Sequence, residues 1–230
     1  MTGIRKPASK PAGKTTAKAA GKTSGKKPAL TFWFDPASSY SYLSAMRVDQ
    51  MAAASGVETI WKPFLLGPIF KAQGMDTSPF NLFPIKGNYM WRDMQRQCAK
   101  YGLPFGAPGE KQLVGFPRNS LLAARASVIA LREPWGRDFV RMIYRAEYAE
   151  WHDIADPAVV IACANLVGGE GKILVAGTQS DEVKAELRAN TEHAFALGLF
   201  GAPSFTIGSE LFWGNDRLEE AVDFAAKVAA

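Results

Sequence analysis

Apolar and polar positions change period twice within the first third of the chain. Residues 30–34, LTFWF, are an uninterrupted apolar run, the pattern of a strand buried on both faces. From Ser38 the spacing becomes helical, with Tyr42, Leu43, Met46, Val48, Met51 and Ala52 three or four positions apart, until Gly56 stops the run. VETIWKPFLLG, from Val57, then predicts a second strand ended by Pro63 or Gly67. A strand–helix–strand unit of this length fits a right-handed parallel crossover.

The strand pattern then disappears for more than half the chain. Tyr89, Met90, Met94, Cys98 and Tyr101 predict a helix ended by Gly102-Leu103-Pro104. Further helices are expected over Leu121–Leu131 and Phe139–Tyr148, from Asp156-Pro157 to Val167, and from Ser180 to Gly198. Their aromatic and methionine stripes read as core, with cofactor contact as the alternative. Strands return as PSFTI, a Gly-Ser turn and ELFWG, a hairpin. Asn215 or Asp216 is expected to cap a last helix, Arg217–Ala229. The order is β-α-β, a helical block, then β-β-α. It predicts an α/β thioredoxin fold with a large all-helical insertion, the DsbA-like form. Residues 29–66 and 199–230 would make the thioredoxin-like domain and residues 67–198 the insertion.

Charge changes the picture at one end only. The 230 residues carry a formal net charge of +5, but Arg5 and seven lysines lie in residues 1–28, which contain no acid. Beyond them 19 basic residues face 22 acidic ones, a net charge of −3. The tail is Lys, Ala, Gly, Pro, Thr and Ser, a composition that cannot bury enough surface to order, so it is expected to be disordered. It serves either as a solvated solubility tail or as a phosphate-attracting arm for nucleic acid or another polyanion. No apolar run is long enough to span a bilayer, and no secretory pattern is visible. Cys98 and Cys163 sit far apart in helical patterns and read as reduced core thiols, consistent with a cytoplasmic location. His152 and His193 read as local hydrogen-bonders, and no metal site is expected.

The candidate chemistry lies where the first strand meets the first helix. Ser38, Ser39, Tyr40 and Ser41 carry hydroxyls at the four positions where a thioredoxin fold places Cys-x-x-Cys. A helix start stabilises a thiolate, yet no sulfur is present, so the chain cannot form that disulfide. Either SSYS is an ordinary cap, or the thiolate arrives on a ligand, with glutathione the leading candidate. GLFGAPSF places Pro203 where a cis-proline would face that helix start, and the Ala202 backbone could pair with an extended peptide. FWGNDRL places Asn215 and Asp216 at a second helix start, where an anion suits the helix end and a cation the acid. A turn with a cap is the plainer reading of GND.

FDPASSYSYL, KPFLLGPIFKAQG, KGNYMWRDM, FGAPSF and FWGNDRL together resemble the 2-hydroxychromene-2-carboxylate isomerase family and its sibling, the kappa-class glutathione transferases, over residues 30–228. The resemblance implies a glutathione-dependent isomerase acting on an intermediate of aromatic-ring breakdown. Ser38 would hydrogen-bond the glutathione sulfur as the catalytic residue. Lys71, Asn81, Ala202, Pro203, Asn215 and Asp216 would bind glutathione, and the family suggests a homodimer. Aromatic density offers Tyr40, Phe70, Tyr89 and Trp91 as a wall for a small aromatic substrate. Two positions depart from the family pattern: Ser39 stands where proline is common, and Met75 where asparagine is common. The alternatives are a kappa-type glutathione transferase or peroxidase, and a non-catalytic thioredoxin-like binding module with a polyanion-binding tail.

Overall fold

A computed structural model describes residues 29–109 and 115–228, so the basic tail, residues 1–28, lies outside the described residues. Strand β1 (Ala29–Phe34) pairs in parallel with β2 (Glu58–Pro63), Phe34 opposite Pro63. On its other side β1 pairs antiparallel with β3 (Ser204–Ile207), which turns through Gly208 into β4 (Glu210–Trp213). The order β2-β1-β3-β4 is that of the expected thioredoxin sheet.

Burial explains why β1 does not alternate. Leu30, Phe32 and Phe34 join Trp61, Phe205 and helical residues in the main core, while Trp33 packs on the opposite face with Phe64, Ile69, Ala194 and Leu199. Both faces are covered along Phe32–Phe34, so those positions are apolar, while Thr31 is only partly buried. Every such side chain contributes roughly 1.5–3 kcal/mol of burial.

The β1–β2 crossover contains α1 (Ser39–Ala45) and α2 (Val48–Ala54) where the spacing predicts one helix. At the break a distant residue takes part: Nε–H of Arg141 donates to the Ala45 carbonyl at 3.2 Å, an acceptor that a continuous helix would use itself. Between β2 and β3 run α3 (Leu66–Ala72), α4 (Pro79–Leu82), α5 (Pro84–Tyr101), α6 (Leu121–Ala130), α7 (Gly136–Tyr148), α8 (Pro157–Leu166), α9 (Gly171–Gly177) and α10 (Asp181–Ala196). The expected caps form: the side chain of Asp156 accepts from the Ala158 amide, and Ser180 from Val183. Gly102 and Gly198 close α5 and α10 at φ 65° and 80°. The short α3, α4 and α9 were not expected, because their prolines and glycines read as loop.

A 3₁₀ turn, Asn215–Arg217, leads into α11 (Leu218–Val228). Neither Asn215 nor Asp216 makes a capping bond, which corrects the expected cap. The methionine stripe of α5 is core: Met90, Met94 and Cys98 are buried with the sheet. Both cysteines are free and buried, and burial pushes their thiols up to about 12 for Cys98 and about 11 for Cys163. Among the described residues no helix is long and apolar enough to cross a membrane.

Candidate active site

The carboxyl end of β1 delivers Asp35, Pro36 and Ala37 to the start of α1. Asp35 fixes this turn. Its carboxyl accepts from the Ala37 amide at 2.9 Å and from the Leu66 amide at 2.8 Å, tying the β1–α1 and β2–α3 connections together. Burial raises its pKa, against those two amides and the Ser120 hydroxyl, which favour the charged form. The sequence marks Asp35-Pro36 only as punctuation; burial gives the acid its role.

Ser38 follows as the N-cap of α1, accepting weakly from the Ser41 amide at 3.4 Å. Its hydroxyl donates to the Ala202 carbonyl at 2.9 Å, across 164 residues of sequence. The Ala202–Pro203 peptide is cis, as the thioredoxin pattern predicts. Ser38 is nearly buried and Ala202 half-buried. Gly201 beside them is required by close approach: a Cβ there would lie 2.3 Å from Nε1 of Trp213. Phe200 packs at a tilt against the same indole, ring centroids 4.8 Å apart. That exposed aromatic ledge beside Ala202 was not anticipated.

The four hydroxyls separate by direction. Ser39 is buried and donates to Sδ of Met90 at 3.1 Å, so the position where proline is common binds α1 to α5. Ser41 is fully buried on the inner side, toward Tyr144. Tyr40 donates to Oδ2 of Asp93 at 3.1 Å. Burial, then Asp93, raises the Tyr40 phenol far above its ordinary pKa, so it keeps its proton at physiological pH. Of the four, Ser38 is the one whose hydroxyl meets the cis-proline loop. No acid lies in the first turn of α1 to oppose a thiolate there.

The expected substrate wall is rearranged. Tyr40 leans on Phe80, centroids 6.4 Å apart, and Trp91 packs edge-on to Phe116 at 4.7 Å. Phe80, Asn81, Pro84, Gly87, Asn88, Trp91 and Phe116 enclose a cleft of about 300 Å³. Tyr89 is not part of it; it is exposed on another face of α5 under the guanidinium of Arg96. Phe70 lies half-buried on α3. Phe80 and Phe116 were missed because they belong to segments that read as loop.

The remaining predicted residues are scattered. Lys71 is exposed in the last turn of α3. Asn81 lines the cleft and donates to the Phe116 carbonyl at 2.9 Å. Asp216 is exposed and pairs with Arg217 at 3.3 Å. Asn215 is buried, and Oδ1 accepts from the Ser44 hydroxyl and from Nη1 of Arg47, both at 3.2 Å. Through Oδ1 it bolts the 3₁₀ turn to α1 and α2.

Residues 29–225 match the family described as the DSBA-like thioredoxin domain. The chain is 27% identical over 191 residues to 2-hydroxychromene-2-carboxylate isomerase of Sphingobium xenophagum, covering 83% of this chain and 94% of that protein. It is 27% identical to glutathione S-transferase kappa 2 of Caenorhabditis elegans, covering 87% and 93%. Among solved structures, a 2-hydroxychromene-2-carboxylate isomerase superposes with a TM-score of 0.73 at 24% identity, covering 87% of this chain and 95% of that one. The disulfide reductase DsbM of Pseudomonas aeruginosa, solved with GSH, gives 0.58 at 19% identity, covering 87% and 96%.

Proposed function

From the premise that the chain belongs to the DSBA-like thioredoxin domain family, we propose that it is a glutathione-dependent isomerase of the 2-hydroxychromene-2-carboxylate type. The observation that carries this reading is the Ser38 hydroxyl, set at a helix start against the Ala202 carbonyl where the fold otherwise holds a redox cysteine. The relatives named above, isomerases and glutathione transferases, support an enzyme.

The residues present suit glutathione. The first turn of α1 holds no acid, and Ala202 offers backbone for an extended peptide. The Ser38 proton that points at the Ala202 carbonyl is the one available to a thiolate. Rotating it about Cβ–Oγ releases that carbonyl to accept a peptide N–H, so one movement prepares both contacts. Bound glutathione supplies the thiolate nucleophile. Ser38 and the helix end lower the pKa of that thiol. Asp216 and Lys71 are left to hold the charged ends of the peptide. Tyr40 and the Trp91–Phe116 cleft are suited to a planar aromatic substrate.

The test is an ultraviolet thiolate titration of bound glutathione in wild type and Ser38→Ala. The variant should bind glutathione nearly as well below pH ~8, titrate at higher pH, and turn over more slowly with an upward-shifted pH optimum. Superimposable titrations with equal rates would reduce Ser38 to a helix cap and sink the proposal. The equal identity to a kappa-class transferase keeps a second reading in play. Isomer interconversion without net loss of glutathione favours the isomerase; release of chloride from a chloro-dinitroarene with glutathione consumed favours the transferase.

A further inference from the structure

A second cleft, of about 170 Å³, opens in the helical layer, lined by Asn119, Leu121, Leu122, Arg125, Ala155 and Gln179. It shares no residue with the start of α1 or the Trp91 cleft. Arg125 sets its character. The side chain is partly buried, and Nε is fully enclosed without a hydrogen-bond partner among the described residues. Three other arginines of the helical layer are paired: Arg132 with Glu182 and Glu186, Arg137 with Asp49, and Arg141 with Asp49 and Asp138. Arg125 lines the cleft with no ion pair or hydrogen bond among the described residues; its enclosed Nε is out of a ligand's reach, so an anion would pair with the part of the guanidinium that faces the cleft.

The surroundings define which anion. Helical side chains lean toward the amino end of their helix, so Arg125 projects over Leu121 and Leu122, toward the start of α6. That end adds a favourable dipole and first-turn amides that precede the first helical bond, Ala124 N–H to the Ser120 carbonyl. Asn119 commits its Oδ1 to the Leu121 amide, which leaves its NH₂ as a donor. Gln179 adds a second carboxamide, whose Nε2 makes only a 3.4 Å contact to its neighbour Thr178. Among the described residues no acid lines the cleft. The two nearest in sequence to Ala155 serve their own loop: Asp153 accepts from the Ala155 amide and Asp156 from the Ala158 amide. One formal positive charge with neutral donors suits a monoanion, and Leu121, Leu122 and Ala155 suit a compact apolar body.

We propose that Arg125, Asn119 and Gln179 form a binding site for a small organic carboxylate, its oxygens on the guanidinium and its apolar body on Leu121 and Leu122. The site is independent of the glutathione reading, and its test does not use activity. The full chain is titrated with sodium benzoate, acetate and inorganic phosphate, with sodium chloride at matched ionic strength, by calorimetry and by melting temperature. Benzoate should bind and raise the melting temperature, phosphate more weakly and chloride not at all. Arg125→Gln should weaken benzoate at least roughly tenfold, the loss expected for a charge-assisted pair, and Arg125→Lys should fall between. If Arg125→Gln folds poorly, Arg125→Lys and Gln179→Ala provide the same comparison. Benzoate binding that survives Arg125→Gln unchanged belongs elsewhere on the protein and overturns the proposal. So does the absence of any response in wild type. Phosphate binding tighter than benzoate overturns the carboxylate assignment.

Discussion

At the start of α1 the outer member of a polar pair is Ser38 and the inner one Ser39; at the turn before α11 the order is reversed, with Asn215 inside and Asp216 outside. Both pairs follow a strand, and both read as capping signals. In the first, the outer residue does cap, and its hydroxyl also reaches the Ala202 carbonyl. In the second, neither side chain caps. What lies above each residue decides: Met90 covers Ser39, and Ser44 with Arg47 covers Asn215. Polarity at a helix start announces that partners are needed, and tertiary packing chooses them.

The sharpest way to break this comparison is with pH, because the first start rests on buried acids. Asp35 is beneath it, and Glu147 of α7 lies deeper, 1% exposed. The Glu147 oxygens make no hydrogen bond of ordinary geometry among the described residues. Burial pushes its carboxyl up to about 8; nearby Arg118 and the Ile154 amide oppose the rise, while Asp153 and Asp35 add to it. An acid whose folded pKa is raised holds its proton in the folded chain after the unfolded chain has lost it. Stability should therefore be greatest below pH ~4.5, as far as this group decides, and fall as pH rises to about 8, where the loss levels off. The slope approaches about 1.4 kcal/mol per pH unit at its steepest. Asp35 adds to the slope in the same direction. Glu147→Gln should flatten urea-derived stability between pH 5 and 8; a slope unchanged from wild type would show that Glu147 ionises freely when folded.

The next test addresses the inner member of the second pair. Asn215→Ala removes the acceptor of both Ser44 and Arg47 in a buried setting. It should cost about 2 kcal/mol, the usual penalty for stranding buried donors. The affinity of the folded variant for glutathione should stay within twofold. A glutathione loss larger than the stability loss would place Asn215 in the binding site.

Much of this was legible in the chain. LTFWF had to be covered on both faces, the Gly-Ser turn had to join two strands, and Asp156 and Ser180 had to cap. These are signals read within a few residues. The helices α3, α4 and α9 were not legible, because their prolines and glycines carry the same local signal as a loop and only packing settles the matter. The site was legible at Ser38 and at Ala202-Pro203, where fold geometry fixes the neighbours. It was not legible at Asp35, Glu147, Phe80 and Phe116, whose roles depend on segments far away in sequence. The packing of Asn215 was not legible for the same reason: whether an asparagine at a turn faces in or out is decided by Ser44 and Arg47, some 170 residues earlier.

Asp216 provides the smallest effect and the finest test of the comparison. Its side chain is 76% exposed and its one ion pair, to Arg217, is a surface pair of little worth. It caps nothing, so Asp216→Ala should leave the melting temperature within a degree or so. Its value to the molecule would lie in a ligand cation, the ammonium end of glutathione in the proposed function. Solvent weakens such a pair, so the expected cost is about 1 kcal/mol, roughly fivefold in dissociation constant. Because the pair is exposed, the difference between wild type and variant should shrink as salt rises from 0.05 to 0.5 M. Asp216→Asn, which keeps the shape and loses the charge, should match the alanine variant at low salt if charge is what matters. The pattern separates the two members of the pair cleanly: Asn215→Ala should move stability and spare affinity, and Asp216→Ala should do the reverse. If calorimetric titration with glutathione gives wild type and Asp216→Ala the same constant at low salt, the outer residue has no ligand, and the turn before α11 is structural throughout.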